Sequence, residues 1–401
     1  MEAGDWGDGS EADLGWTSVR TRRIVAIGVA IVLVVAAAVI LIPARHHDHT
    51  AVASGATSTT HGPAGGVTHP ARTTTTTAGP SRTTNPITFT AVGDTELGKA
   101  GELPTDPLGY LAPITAALKA PIAFGNLEGT LTDATGSKCD DDSTDCFAFR
   151  VPTTDAAVLR QAGFTVVNSA NNHSHDFGAQ GAADTSAALA AAGIAQTGLP
   201  GQIAYVADGA TKVAFIGFAP YPNTNNLLDL PTAATLIRQA RAHAAVVVAY
   251  MHAGAEGVSA THVTGREETY VGEDRGNAEA FAHAAIDAGA DVVIASGPHV
   301  LRGIEFYRHH LIDYSLGNFA NFHDFVSGGT TSLSGILRVT VTAAGQFVSA
   351  TFTSVRLDST GHATVDPTDA SAQLVNQLSA ADFGPAAVVI QPGGSITAPA
   401  A

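Results

Sequence analysis

Six polar side chains, Asp94, Glu128, Asn172, His173, His252 and His299, share a peculiarity of placement. They close the short apolar runs ITFTAVGD, PIAFGNLE, FTVVNSANNH, AAVVVAYMH and ADVVIASGPH. Two carboxylates, an amide oxygen and imidazoles make a mixed oxygen and nitrogen ligand set, suited to Mn, Zn or Fe. Anionic ligands offset the desolvation of a divalent cation, and the cation lowers the pKa of bound water until hydroxide forms near neutrality. A neutral imidazole beside it can serve as acid or base. Taken singly, each residue has a plainer reading. A histidine at a strand end is ordinarily a hydrogen-bonded structural residue, and an Asp after Gly is a common turn or cap residue. Recurrence at equivalent places sets this group apart. Its densest member is VNSANNHSHDFG, residues 167–178, which adds His175 and Asp176. Both can orient His173 by hydrogen bonding. Asp176 can equally cap a helix that starts at Gly178.

Residues scattered from 94 to 299 meet only if their strands end at a common rim. The apolar runs, with KVAFIGFAPY and HLIDYSLGNF, alternate with alanine-rich segments that predict helices near 112–119, 154–162, 179–192, 232–243 and 277–288. That alternation is the pattern of βα units whose strands are buried on both faces. In open α/β sheets, ligands bind beyond the carboxyl ends of the strands. GILRVTVT and QFVSATFTSVRL flank AAG and predict an antiparallel hairpin, so the fold class is α/β with mixed sheets. Residues 358–401 form a weaker-patterned extension, with VVI near 388 as a last strand. There is no GxxxxGK[ST] loop, no HExxH and no GxSxG, the signatures of nucleotide loops, zincins and serine hydrolases.

Composition narrows the partners. The 401 residues carry a net charge of −16, and only 14% are charged. That excludes a nucleic-acid groove, which needs clustered Lys and Arg. Sixteen His beside two Cys favour oxygen and nitrogen metal chemistry over thiolate sites. The run IVAIGVAIVLVVAAAVILI, residues 24–42, has no charge and no Pro, and as a helix it is about 28 Å long, close to the hydrocarbon thickness of a bilayer. Arg20, Arg22 and Arg23 precede it. The positive-inside rule then predicts a single-pass membrane helix over 24–43, with residues 1–23 cytoplasmic and the remainder exported. A cleaved signal peptide is the other reading. Residues 44–86, rich in Thr, Pro and Gly, read as a linker, and His46, His47 and His49 within it as part of a hydrated spacer. In an exported domain Cys139 and Cys146 are expected to close a small disulfide loop. Its Asp140, Asp141, Asp142 and Asp145 lack calcium-loop spacing and read as solvated.

The segments AVGDTELG, FGNLEGTL, SANNHSHDFG, YMHAGAEG, SGPHVLRGIEFY and YSLGNF, in this order, resemble the motif series of the CapA family over residues 87–357. These are capsule or poly-gamma-glutamate biosynthesis proteins related to calcineurin-like metallophosphoesterases. The resemblance implies a four-layer α/β/β/α sandwich with one or two divalent ions (Mn, Zn or Fe) at the strand ends. It implies Asp94 as the first metal carboxylate, Glu128 as the second and bridging one, Asn172 as the amide ligand and His252 and His299 as the later imidazole ligands. His173 matches the residue that protonates a leaving oxygen. The chain departs from the pattern at two places. Ser296 and Gly297 stand where many relatives carry a further His, and Glu96 stands where metallophosphoesterases carry one, so Glu96 becomes a candidate ligand. Glu256 is expected near His252, and Tyr314 and Asn318 along the same cleft. Arg275 and Arg302 can each bind a phosphate or carboxylate bidentately or form a structural ion pair. His309 and His310 read as an exposed hairpin turn. The implied role is metal-assisted hydrolysis or transfer on a phosphoester, or on a polymer-linked ester or amide. An anionic envelope polymer or its precursor, the lipid bilayer and membrane synthase or export proteins are then the partners. The other class is a non-catalytic envelope module that holds polymer.

Overall fold

A computed structural model describes residues 85–399 apart from 141, 142, 144, 145 and 325–327. The expected membrane helix, the cytoplasmic segment, nearly all of the linker, and Asp141, Asp142 and Asp145 lie outside the described residues. Among the described residues no helix is long and apolar enough to cross a membrane.

The first half of the fold runs β1 (Ile87–Glu96), α1 (Pro107–Leu118), β2 (Ile122–Leu127), β3 (Thr130–Leu131), β4 (Arg150–Val151), α2 (Asp155–Ala162), β5 (Val166–Asn168), α3 (Gly178–Ala191) and β6 (Ala195–Thr197). There follow β7 (Ala204–Asp208), β8 (Thr211–Phe218), α4 (Leu230–His243), β9 (Val246–His252), β10 (Glu268–Tyr270), β11 (Glu273–Gly276), α5 (Ala278–Ala288), β12 (Val292–Ser296), β13 (Ile304–Tyr307) and β14 (His310–Asp313). The chain closes with β15 (Asn318–Asn321), β16 (Leu333–Val341), β17 (Phe347–Leu357), β18 (Ala363–Val365), α6 (Ala370–Phe383), β19 (Val389–Ile390) and β20 (Ser395–Thr397). One sheet has the order β19-β20-β17-β16-β1-β2-β5-β6, with β15 beside β1 and β18 beside β17. The other has the order β13-β14-β12-β9-β8-β7. The polar-ended strands β1, β2 and β5 are parallel neighbours in the first sheet, and β9 and β12 in the second.

Strict alternation of side-chain direction makes the layers. In β9, Val246, Val248 and Tyr250 join Phe89, Phe124, Phe215 and Ile294 in the core between the sheets. The intervening Val247, Ala249 and Met251 pack with Ile237, Phe281 and Ile286 of α4 and α5. On the far side, Val92, Ala123 and Val167 of the first sheet meet Leu111, Ile114, Leu159 and Leu189 of α1, α2 and α3. Strands buried on both faces need apolar side chains at every position, which is why these runs are continuous rather than alternating in polarity. The result is the expected α/β/β/α layering. The expected hairpin is the antiparallel pair β16 and β17.

Two features differ from the sequence expectation. HLIDYSLGNF is not one strand: β14 belongs to the second sheet and β15 to the first, and residues 314–317 carry the chain across. At the crossing the Gly317 carbonyl accepts from Asp94 N at 3.0 Å, and Gly317 has φ +66°. A Cβ on Gly93 would lie 1.9 Å from that oxygen. The Gly-Asp pair of β1 therefore lets another backbone touch the strand where its carboxylate is held. Gly93→Ala is expected to cost about 2–3 kcal/mol, measured as a lowered denaturant midpoint. The second difference is α6, in the weaker-patterned extension for which the sequence pattern marks no helix. Its buried side includes Ser371 and Ser379, and Ser379 Oγ accepts from Ile304 N at 2.8 Å. Serines on the inward face erase the apolar periodicity that marks a helix.

Candidate metal centre

Strand register brings the polar ends together before any side chain is considered. Across the first sheet Asn318, Asp94, Asn126 and Asn168 stand opposite one another in turn. Across the second, Ser296 stands opposite His252. Asp94 is buried and accepts from Asn126 Nδ2 at 2.8 Å, Gly297 N at 3.2 Å and the Ser296 hydroxyl. His299 Nδ1 lies 3.3 Å from its Oδ2. Burial opposes its ionisation, but the hydrogen bond and charge of His299, with His252 and Ser296, hold it well below the usual carboxylate range.

Glu128, one residue past β2, is 0% exposed, and no described residue hydrogen-bonds either of its oxygens. Burial, then the charge of Asp94, pushes its pKa well up. His252 Nε2 is 3.7 Å from Glu128 Oε1 and is likewise buried with no hydrogen bond among the described residues. Burial drives His252 well below the ordinary histidine value, so it is a neutral imidazole with a lone pair to give. Ligand atoms of Asp94, Glu128 and His252 all lie within 4.8 Å of one another. His299 adjoins this group, with Nε2 3.8 Å from Glu128 Oε1. Against the opposing effect of burial, the charge of Glu128 and the hydrogen bond to Asp94 push its pKa up to about 10. Its backbone has φ +59°, a left-handed conformation rare for a non-glycine residue and typical of functional sites.

Buried acceptors and a buried imidazole nitrogen with no hydrogen bond among the described residues fit a cation. Each unsatisfied group costs on the order of 1–3 kcal/mol unless a ligand satisfies it. Asn172 Oδ1 is also buried with no hydrogen bond among the described residues. Glu96 is not among the residues whose ligand atoms lie within 4.8 Å of one another. Its Oε1 accepts from Gly98 N, and burial, with Asp324 nearby, raises its pKa well above the usual range. Ser296 and Gly297, which stand in place of the further His, acquire roles. Ser296 bonds Asp94 and Tyr250. Gly297, at φ +115°, leaves room beside His252, since a Cβ there would lie 3.2 Å from His252 Nε2.

The stretch 167–178 divides its labour. Asn168 Nδ2 and Asn171 Nδ2 donate to Asn126 Oδ1 at 2.7 and 3.0 Å, and Asn126 passes its own amide hydrogen to Asp94. This amide relay fixes the orientation of the first carboxylate. His173 Nδ1 lies 2.7 Å from Asp176 Oδ2, and its ring packs on Phe149 with centroids 4.4 Å apart. Asp176 makes no helix cap; α3 begins without a side-chain cap bond. Instead Asp176 accepts from Phe149 N at 2.7 Å and pairs with Lys138 Nζ at 2.6 Å. Lys138 and Phe149 flank the Cys139–Cys146 disulfide, so one carboxylate pins both ends of that loop beside His173. His175 does not reach His173: its Nδ1 lies 3.1 Å from Ser174 Oγ.

The remaining candidates separate. Asn318 Oδ1 meets His299 Nδ1 at 2.9 Å and stands behind the cluster. Glu256 Oε2 is 3.8 Å from His299 Nε2, and Arg275 Nη1 donates to Glu256 Oε1 at 2.5 Å. Tyr314 is elsewhere, stacked on Phe383 with its hydroxyl on Glu305 at 2.8 Å. Arg302 is a structural fork: Nη1 and Nη2 donate to Glu268 at 3.0 and 2.7 Å, and Nε donates to Ala260 O at 2.8 Å. His309 is exposed in the β13–β14 turn, and His310 is half-buried with Nδ1 2.9 Å from Asp291 O. Sequence reasoning missed Asn126, Asn168, Asn171 and Lys138. Asn126 carries a signal, since it precedes Glu128 in the same NLE motif. Lys138 carries none.

The "PGA biosynthesis protein CapA" of Bacillus subtilis is 32% identical over 251 residues, which is 57% of this chain and 61% of that protein. The "Capsule biosynthesis protein CapA" of Bacillus anthracis is 32% identical over 183 residues, covering 40% of this chain and 41% of that protein. The chain thus spans less than two thirds of either relative. Among solved structures, the 5'-nucleotidase precursor of Thermus thermophilus aligns with 70% of this chain and 54% of its own, at a TM-score of 0.38 and 13% identity. Residues 88–323, which hold Asp94, Glu128, Asn172, His252 and His299, match the family described as "Bacterial capsule synthesis protein PGA_cap", and to that family this chain belongs.

Proposed function

We propose that the chain is an exported, membrane-tethered protein of capsule or poly-gamma-glutamate biosynthesis with a calcineurin-like metallophosphoesterase site. Asp94, Glu128, Asn172, His252 and His299 would hold a divalent ion of the Mn, Zn or Fe type. When bound, such an ion supplies a Lewis acid and a water of lowered pKa. The chain supplies the rest. The Asn168, Asn171 and Asn126 amides and the Ser296 hydroxyl fix Asp94. Asp176 fixes the His173 ring, whose other nitrogen is then the proton donor to a leaving oxygen. The substrate class is a phosphoester, or an ester or amide linked to an anionic envelope polymer. Residues 24–43 would place the domain outside the membrane, alongside synthase or export partners.

One observation carries this reading: both oxygens of Glu128 and Nε2 of His252 are buried beside Asp94 with no hydrogen bond among the described residues. The full-length protein is expected to purify with, or take up, about one equivalent or more of Mn, Zn or Fe, read by elemental analysis. No metal before or after reconstitution would defeat the reading. A second reading, a non-catalytic module that holds polymer, draws on the complete burial of Asp94, Glu128 and His252. Metal retained without hydrolysis of any phosphodiester, ester or amide would favour it.

A further inference from the structure

We infer that Arg275 is a binding site for an oxyanion, the carboxylate or phosphate of a substrate, taken up by the Nε and Nη2 edge of its guanidinium. Arg275 lies in β11 and is 1% exposed. Its Nη1 is committed to Glu256, while Nε and Nη2 are buried with no hydrogen-bond partner among the described residues. Among the described residues the other deeply buried arginine sets the standard: Arg302 partners Nε, Nη1 and Nη2. A guanidinium cannot shed its charge, so leaving two of its three nitrogens dry and unpaired is costly unless something else fills them. The two nitrogens left over are the pair whose N–H bonds run parallel along one edge, the geometry that grips both oxygens of a carboxylate or two of a phosphate. The ring of Tyr221 lies against the group, 5.8 Å from centroid to guanidinium carbon.

Location ties this edge to the metal-ligand cluster. Glu256 bridges Arg275 to His299, and the Arg275 carbonyl accepts from Gly254 N at 3.0 Å, two residues past His252. In a chain of net charge −16, this is a buried cation one carboxylate away from the proposed centre. The inference deepens the proposed function and rests on it for the placement beside a reacting bond, though not for the anion itself.

The test titrates the full-length protein, as purified and after chelation, with inorganic phosphate and separately with a short γ-linked glutamate oligomer. Calorimetry is expected to show saturable binding of at least one probe, and that probe names the source of the oxyanion. Arg275→Gln and Arg275→Lys are both expected to weaken it about tenfold or more with metal content unchanged, because lysine keeps the charge and loses the edge. Wild type binding neither probe, or R275K binding like wild type, overturns the inference. Should the variants fail to fold, the Arg275 Nε resonance of the wild-type protein decides: a shift on titration supports the site and a static signal refutes it. Metal bound without any Arg275 dependence sinks this inference alone. Arg275-dependent binding in a protein that takes up no metal sinks the functional reading alone.

Discussion

Glu128→Gln is expected to strip the centre of metal while leaving the metal-free protein as stable as before, or more so. The two halves of that expectation come from one fact. In a structural ion cluster every buried charge has its partner, and removing one member costs about 3–5 kcal/mol, because the other is left uncompensated. Glu128 has no such partner: no described residue hydrogen-bonds its oxygens, and its close neighbours include the carboxylate of Asp94. Its nearest imidazole contacts are 3.7 and 3.8 Å away, beyond hydrogen-bond length. An amide of the same shape removes a buried carboxylate that the charges of His299 and Arg275 offset without a hydrogen bond among the described residues. Loaded with metal, the balance reverses, since the cation loses an anionic ligand. Affinity is expected to fall on the order of 100-fold or more, at least as far as the loss of an outer ligand partner takes it. Elemental analysis and denaturant unfolding of both proteins, with and without chelator, read the two halves separately. A Glu128→Gln protein markedly less stable than wild type after chelation would mean that the cluster is a structural network with no place for a cation.

The same reasoning shows how far the sequence could be read. The strand runs were legible because burial on both faces demands apolar residues at each position, and the polar ends stood out against them. What a sequence cannot display is which strand lies beside which. HLIDYSLGNF has the composition of one strand, yet a left-handed Gly317 lets it leave one sheet and enter the other. That crossing sends Tyr314 into the outer core and Asn318 to His299, four residues apart in sequence and on different errands. Arg275 and Arg302 looked alike as isolated letters. Their difference lies in Glu268, which reaches Arg302 with both oxygens and leaves Arg275 only Glu256. Ser296 read as a lost ligand because a hydroxyl is a poor metal donor. Its part, bonding Asp94, exists only because the end of β12 in the second sheet lies against the end of β1 in the first.

His173→Ala is expected to lower turnover by about 10²–10⁴-fold, the usual contribution of a positioned acid, with metal content and substrate KM nearly unchanged. The assignment rests on how the ring is held. Asp176 takes Nδ1 at 2.7 Å, which fixes the tautomer and leaves Nε2 as the working nitrogen. Burial lowers the histidine's pKa, while the charge and hydrogen bond of Asp176 work to keep it protonated. An isolated buried imidazole would lack that second influence and would make a poor proton donor near neutrality. Asp176→Asn therefore tests the same idea from behind. It keeps an acceptor oxygen for the loop but removes the anion, and turnover is expected to fall while the metal stays. Bis(4-nitrophenyl) phosphate is a suitable probe because its leaving group needs little protonation, whereas an alkyl phosphodiester needs a great deal. The His173→Ala defect should accordingly be small on the aryl substrate and large on the alkyl one. Equal losses on both would remove His173 from proton donation and leave it a positioning role beside Phe149.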